Sequence, residues 1–109
     1  MTAHQRVAPE RIRNTAPKLA ELTDEVLFGD VWERPGLSKR DRSLITVAAL
    51  IALGRDKQLT GHLRRALDNG LTPGELTETV THLAFYAGWP AGMTATDILA
   101  TVLDDTTSR

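Results

Sequence analysis

The chain has 109 residues, and its 41% hydrophobic and 25% charged content predicts one soluble globular domain over residues 1–109, with flexible tails at 1–8 and 105–109. Its formal net charge of −1 gives no general attraction for nucleic acid or anionic membranes, so neither is an expected partner. The absence of cysteine excludes disulfides, thiolate metal sites and thiol redox catalysis.

The N-terminal sequence MTAHQRVAPERIRN lacks the apolar core of a signal peptide, which predicts a cytoplasmic location. Pro9 and Pro17 divide this region into a short helical piece and a second helix through about Phe28. Ser38, with Asp41 three residues later, then serves as the N-cap of a helix that runs to about Leu53. This helix contains the longest apolar stretch, which is too short to span a bilayer.

Two more helices have clear boundary signals. Asp56 is the expected cap of the first, and Gly70 is expected to end it in a left-handed turn. Thr72, Pro73 and Glu75 together form a capping-box start for the second. A last helix begins near residue 90, and strand signals are nearly absent. The sequence therefore predicts an all-α fold of about five to six helices.

The helix over residues 41–53 has almost no polar face. Its apolar residues are Leu44, Ile45, Val47, Ala48, Ala49, Leu50, Ile51, Ala52 and Leu53. A helix that is apolar all round must be buried all round, and a domain of this size can rarely enclose one completely. We therefore expect self-association into a homo-oligomer. The alternative is a central helix enclosed within one monomer.

Two histidines are the candidate catalytic groups. His62 shares a helical stripe with Gln58 and Arg65, beside an apolar stripe, which places it at the margin of the core. A histidine there is either a satisfied structural residue or a group with a shifted pKa that acts in catalysis. His82 shares a second stripe with Tyr86, although aromatic residues at helical spacing are commonly packing residues.

The arginines at the start of the apolar helix have two interpretations. Arg40 and Arg42 stand where the helix dipole disfavours cations, so they need an acid nearby. That acid is either Asp41 or Glu33 in a solvated ion pair, or the carboxylate of a ligand. In the ligand interpretation, the predicted substrate-binding residues are Trp32, Arg34, Arg40, Arg42 and Gln58. No histidine has the ligand spacing of a metal site, and we expect no metal.

Three segments together carry a resemblance that covers residues 17–103. The segments FGDVWERPGLSKRDRSLITVAALIALGR, HLRRALDNGLTPGEL and HLAFYAGWP resemble the carboxymuconolactone decarboxylase family, within the AhpD-like superfamily. The resemblance implies an AhpD-like all-helical subunit in a homo-oligomer, a trimer or hexamer, with active sites near subunit contacts. One branch of this superfamily uses a CxxC pair before the histidine. Here those positions are Arg55 and Gln58, which excludes peroxidase and disulfide-reductase activity.

The other branch removes CO2 from 4-carboxymuconolactone, whose lactone supplies its own electron sink, so no cofactor is expected. The resemblance implies carboxylate binding by Arg34, Arg40 and Arg42. It implies His62 as the acid or oxyanion donor, with His82 and Tyr86 as second choices. Gln58 stands where these decarboxylases have a glutamate. The alternatives to a lyase or isomerase are a small-molecule-binding helper protein and a purely structural oligomer.

Overall fold

The structure, a computed structural model, describes the backbone of residues 6–107 and the side chains of residues 6–105, and within them it contains helices and no strand. The all-α prediction is confirmed. The α-helices are α1 (Glu10–Thr15), α2 (Pro17–Leu22), α3 (Lys39–Leu53), α4 (Asp56–Asp68), α5 (Pro73–Ala87) and α6 (Trp89–Thr107). A π-helical turn, Thr23–Leu27, follows α2, and a 3-10 turn, Val31–Glu33, precedes α3. None of the described helices is long and apolar enough to cross a membrane.

The chain divides into two compact units, Met1–Lys39 and Arg40–Arg109. The one-domain interpretation of the sequence stays a prediction. The predicted flexible tails at 1–8 and 105–109 lie partly outside the described residues. Of the part that is described, residues 105–107 continue α6, and Ala8 is buried in the first unit.

In the first unit, the buried carboxylate of Asp24 lies in the π-helical turn and anchors the segment before α1. Its Oδ1 atom accepts hydrogen bonds from the backbone N–H groups of Val7 at 2.8 Å and Ala8 at 2.9 Å. Its Oδ2 atom lies 2.8 Å from Nη1 of Arg13. The Ala8 hydrogen bond, with the Arg13 guanidinium next in importance, lowers the pKa of Asp24 to about 2. This carboxylate therefore stays charged at all but strongly acidic pH.

The second unit is built around an aliphatic core to which all four of its helices contribute. The buried core residues are Val47, Ile51, Leu59, Leu63, Ala66, Leu71, Leu76, Val80, Ala95, Leu99 and Val102. They recur at helical spacing along each helix, so each helix turns one stripe inward. This core fixes the side of each helix on which polar candidate residues can lie.

The ends of α4 and α5 largely follow the sequence signals. Gly70 has a φ of 106°, a backbone conformation that favours glycine, as predicted for the turn after α4. Thr72 and Glu75 form the predicted capping box, with Glu75 N donating to Thr72 Oγ1 at 3.1 Å and Thr72 N donating to Glu75 Oε1 at 2.9 Å. The prediction for Asp56 is wrong, because it is the first residue of α4 and Arg55 holds the cap position without a side-chain hydrogen bond.

Helix α3 is not enclosed by its own chain. Its buried residues, Ser43, Val47 and Ile51, form a single stripe. On its other sides, Ile45 is 55% exposed and Leu53 is 64% exposed. The alternative of a central helix buried within one monomer is therefore wrong, and an apolar face of α3 is open to solvent.

Helices α5 and α6 approach closely at one glycine. A Cβ atom at Gly92 would lie 2.6 Å from the Cβ atom of Ala84 and 3.1 Å from its Cα atom. The neighbouring atoms belong to the backbone and to a short side chain, so they cannot rotate away. Gly92 is therefore required for the spacing of the helix pair.

We predict that Gly92→Ala destabilises the protein although alanine favours helices. Glycine loses more conformational entropy on folding than alanine, so replacing it in a helix stabilises the folded state by about 1 kcal/mol. Overpacking typically costs about 1–3 kcal/mol, which outweighs this gain. Gly61→Ala on α4 is the matched control, because a Cβ atom there meets nothing within 4 Å. Urea unfolding should give a lower midpoint for Gly92→Ala and an unchanged or higher one for Gly61→Ala. Equal midpoints in the two variants would contradict the close contact.

Candidate functional site

His62 lies on α4 at the edge of the aliphatic core, as its position in the sequence predicts. Leu59 and Leu63, on either side of it in sequence, are fully buried, while His62 itself is half-buried and its Nδ1 atom is shielded from solvent. Burial lowers the pKa of His62 below its ordinary value of 6.5, and the positive charge of Arg65 lowers it further. The imidazole is therefore neutral at pH 7, and its N–H group can donate a hydrogen bond without carrying charge.

Gln58 lies one turn before His62 on the same side of α4, with its side chain exposed. In this position an amide can donate to or accept from a ligand or the imidazole. It cannot stabilise an imidazolium by charge. The amide is thus compatible with a histidine that works in its neutral form.

The two arginines at the start of α3 differ in their surroundings. Arg40 forms an ion pair through Nη2 with Oε2 of Glu75 on α5, and its Nη1 atom lies 3.6 Å from Oδ1 of Asp41. A hydrogen bond from the Thr72 backbone and the Arg40 guanidinium lower the pKa of Glu75. The ion-pair interpretation is therefore correct for Arg40, although sequence analysis did not identify Glu75 as its main partner.

Arg42 is half-buried, and its Nε atom is shielded from solvent. Its backbone carbonyl accepts a hydrogen bond from Oγ1 of Thr46 at 2.7 Å, within the helix. The predicted role of Arg42 in binding a ligand carboxylate stays a prediction.

A partly buried hydrogen bond joins α3 to the end of α4, and sequence analysis missed it. Nδ2 of Asn69, the C-cap residue of α4, donates to Oγ of Ser43 at 2.9 Å. Ser43 is only 1% exposed. Asn69 belongs to the same helical stripe as His62 and Arg65, but nothing in the sequence indicates which residue of another helix it meets.

His82 lies in a groove between α3 and α5. A cavity of about 400 Å³ there is lined by Leu44, Ala48, Glu78, Thr79, His82 and Leu83. It adjoins a second cavity of about 520 Å³ that shares Leu44, Glu78 and Thr79. His62 lines neither of these two cavities.

Tyr86 lies beside His82 on the outer surface of α5. The two rings are stacked, with centroids 4.8 Å apart and an interplanar angle of 25°. Tyr86 is 79% exposed. The stripe predicted from the sequence is therefore real, but it is a surface feature at the edge of the groove.

Trp32 and Arg34 belong to the first unit. Trp32 is buried and stacks on Phe28 with a centroid distance of 5.4 Å. Its ring is thus part of the packing of this unit, whereas sequence analysis placed Trp32 among the predicted substrate-binding residues. Arg34 is exposed and has an extended backbone after the 3-10 turn. The substrate-binding role of both residues stays a prediction.

The described residues include no group of three or more His, Asp or Glu side chains that could hold a metal ion. The candidate groups of the second unit are a histidine and arginines. Such groups can bind carboxylates and donate hydrogen bonds to a developing negative charge.

Comparison with known proteins assigns the chain to a family. The model of the carboxymuconolactone decarboxylase family matches residues 17–101. The chain is 46% identical over 78 residues to 4-carboxymuconolactone decarboxylase of Acinetobacter baylyi. It is 36% identical over 97 residues to nitrosuccinic acid decarboxylase npaB of Metarhizium robertsii.

These matches cover different shares of the proteins. The first comprises 72% of this chain and 58% of the Acinetobacter protein, and the second comprises 86% of this chain and 68% of the Metarhizium protein. An uncharacterized 15.0 kDa protein of Paracoccus denitrificans is 34% identical over 72% of this chain and 60% of its own length. The chain thus spans roughly three fifths to two thirds of these relatives.

We predict that the imidazole of His62 titrates below pH 6.5, and that Arg65→Gln raises its midpoint without restoring the ordinary value. Burial is the larger cause of the lowered pKa, and this substitution leaves burial in place. NMR of the imidazole Cε1–H signals measures both midpoints. Arg64→Gln is the control, because Arg64 pairs with Asp105, at 2.8 Å, on α6.

The same shift predicts a dependence of stability on pH. The folded pKa of His62 lies below the unfolded one, so the unfolded chain binds more protons between the two values. The contribution of His62 to stability should be complete above about pH 6.5 and decrease as the pH falls through the folded pKa. A His62 midpoint at or above 6.5 in the wild type would contradict this assignment.

Proposed function

The chain belongs to the carboxymuconolactone decarboxylase family, and on that premise we propose that it is a cofactor-independent carboxy-lyase acting on small dicarboxylic acids. The observation that carries the proposal is the 46% identity to a 4-carboxymuconolactone decarboxylase. The neutral, half-buried His62 supports it, because this group can serve the reaction without a metal or organic cofactor.

The names of the two decarboxylases indicate a common substrate chemistry. In 4-carboxymuconolactone, the electrons left by CO2 can flow through a double bond onto the lactone carbonyl. In nitrosuccinic acid they can flow onto the nitro group as a nitronate. Both compounds carry two carboxyl groups. One of the two is bonded to a carbon whose electrons, after loss of CO2, can delocalise onto an oxygen atom of the same molecule. We take this as the substrate class of the present chain.

His62 is the proposed donor to the oxygen on which negative charge develops. A neutral imidazole N–H is suited to that role, because its hydrogen bond strengthens as charge accumulates in the transition state. The lowered pKa of His62 disfavours a mechanism in which its protonated imidazolium form acts as the acid at neutral pH. His82 and Tyr86, the second choices, belong to the separate α3–α5 groove and its edge, which disfavours them as partners of His62 in one step.

Arg42 is the proposed ligand of the substrate carboxylate in the second unit. A guanidinium can bind a carboxylate through two parallel hydrogen bonds, which fixes its orientation as well as its position. Arg40 is already engaged with Glu75, and we assign it a structural role. Arg42 and His62 would supply the carboxylate binder and the oxyanion donor, and the carbon that loses CO2 would take its proton from solvent water.

Gln58 supports a second candidate function, that of a binding protein without turnover. Where the resemblance leads us to expect a glutamate, the amide cannot accept and return a proton. A protein that had lost only this step would still bind the dicarboxylic acid. Measuring binding and turnover on the same sample separates the two functions.

We predict that the wild type consumes 4-carboxymuconolactone or nitrosuccinic acid with release of CO2, and that His62→Asn lowers kcat about 100-fold or more. Loss of one preorganised donor to an oxyanion has an effect of this size. Ultraviolet absorbance and CO2 release follow the reaction, and Arg64→Gln serves as the control on the same helix. A wild type that binds either acid without consuming it would leave only the binding function.

We also propose that the protein forms a homo-oligomer through the open apolar face of α3. This face comprises Ile45, Ala49, Ala52 and Leu53, all of them exposed in the single chain. Leaving such residues in water forgoes the stabilisation that apolar burial provides, roughly 25 cal/mol per Å². A second copy of the chain would cover them.

We predict that Ile45→Glu shifts the protein toward the monomer, because a charge would be buried in the contact without a partner. Association should weaken about tenfold or more. Light scattering on a size-exclusion peak measures the mass at several concentrations. Thr101→Glu, at an exposed position on α6, is the control and should leave the mass unchanged. A monomeric wild type would contradict the proposed contact.

A further inference from the structure

The groove between α3 and α5 has an apolar side that can hold a hydrocarbon. Leu44 and Ala48 of α3 and Leu83 of α5 line the cavity of about 400 Å³, and all three are partly buried. Leu44 also lines the adjoining cavity of about 520 Å³. Both volumes lie in the range of small-molecule pockets, roughly 300–1,000 Å³. The groove therefore has the size and the apolar surface of a binding site for a small molecule.

The polar side of the groove offers hydrogen-bond acceptors. The carboxylate of Glu78 can only accept, and among the described residues it has no hydrogen-bond or ion-pair partner. Thr79 donates its hydroxyl proton to the backbone carbonyl of Glu75 at 2.8 Å, so its oxygen has only lone pairs left for a ligand. His82, one turn after Glu78, adds an acceptor nitrogen when its imidazole is neutral.

The charge of the groove favours a cation. No lysine or arginine is among the residues that line either cavity in the described part of the chain. Glu75, the second acid of the lining, is paired with Arg40, whereas the charge of Glu78 is not offset by any lining residue with a fixed positive charge. An anionic ligand would be repelled by Glu78, and a cation would be attracted.

We propose that the α3–α5 groove binds a free small molecule that carries a primary ammonium group on a hydrocarbon body. An ammonium has three N–H donors, and Glu78, Thr79 and His82 supply three acceptors. The hydrocarbon body packs on the apolar side of the groove. This site does not depend on the proposed decarboxylation, because the substrates of that reaction are anions.

Three probes of equal chain length test the preference of the groove for a cation. NMR titration of the full chain compares hexylamine, which is protonated at neutral pH, with 1-hexanol and hexanoate. We expect the ammonium to bind with a Kd on the order of 1 mM or lower, and to shift the methyl signals of Leu44 and Leu83. Hexanol should bind at least tenfold more weakly, and added salt should weaken only the ammonium. Equal binding of hexanol or hexanoate would overturn the proposal.

The variant Glu78→Gln removes the charge and keeps the shape of the side chain. It should weaken hexylammonium about tenfold or more and leave hexanol unchanged, because a charged hydrogen bond contributes more than a neutral one. Asp97→Asn is the matched control, since Asp97 is an exposed acid on α6 that lines neither cavity. Equal affinity of the two variants for hexylammonium would overturn the assignment to Glu78.

The variant Thr79→Val removes one acceptor and has its own control. Thr77 makes the same kind of bond, from its hydroxyl to the backbone carbonyl of Pro73 at 2.9 Å, but it lines neither cavity. Thr79→Val should weaken hexylammonium about fivefold, the effect of one hydrogen bond, and Thr77→Val should not. Wild-type affinity in Thr79→Val would overturn the arrangement of three acceptors.

Light scattering distinguishes a free amine from the lysine of a second copy, which carries the same ammonium group. The proposal expects the mass of the protein to stay unchanged as hexylamine is added. A mass that falls would show that hexylamine displaces a second copy, and would overturn the proposal of a free ligand.

Discussion

The close packing of aliphatic side chains from α3, α4, α5 and α6 determines where each candidate catalytic group of the second unit can lie. Leu59, Leu63, Leu76, Val47 and Val102 are among the largest side chains that are fully buried in this structure. The chain has no cysteine and few aromatic residues, so the stability of its folded state depends on such packing. Polar groups are consequently confined to the margins of the core, where a histidine can be partly desolvated and still reach a ligand.

The acidic start of α5 explains how α3 tolerates a cation in its first turn. Arginine is unfavourable at a helix N-terminus, because the dipole there is positive. Glu75 offsets this cost for Arg40 while it also caps its own helix. One carboxylate therefore stabilises two helix starts.

The features that sequence analysis predicted correctly are local ones. Gly70, Thr72 and Glu75 mark the turn between α4 and α5 by their own conformational and capping preferences, which act within a few residues. The position of His62 at the core margin also follows from spacing within one helix. Each of these signals is contained in a short stretch of chain, so each can be recognised without the fold.

The features that sequence analysis missed join residues far apart in the chain. The Ser43–Asn69 bond spans 26 positions and the Arg40–Glu75 pair spans 35, and neither has a local signal. Side-chain type indicates what a residue can bind, whereas tertiary packing decides which of its possible partners it meets.

The anchor at Asp24 has a consequence for how the start of the chain can vary. The carboxylate bonds to the backbone N–H groups of residues 7 and 8, whose own side chains take no part in these bonds. Position 7 can therefore accept many side chains, with proline excluded because it has no N–H group. Evolutionary drift at this position would leave the anchor intact, whereas removal of residues 7 and 8 would leave the carboxylate with Arg13 alone.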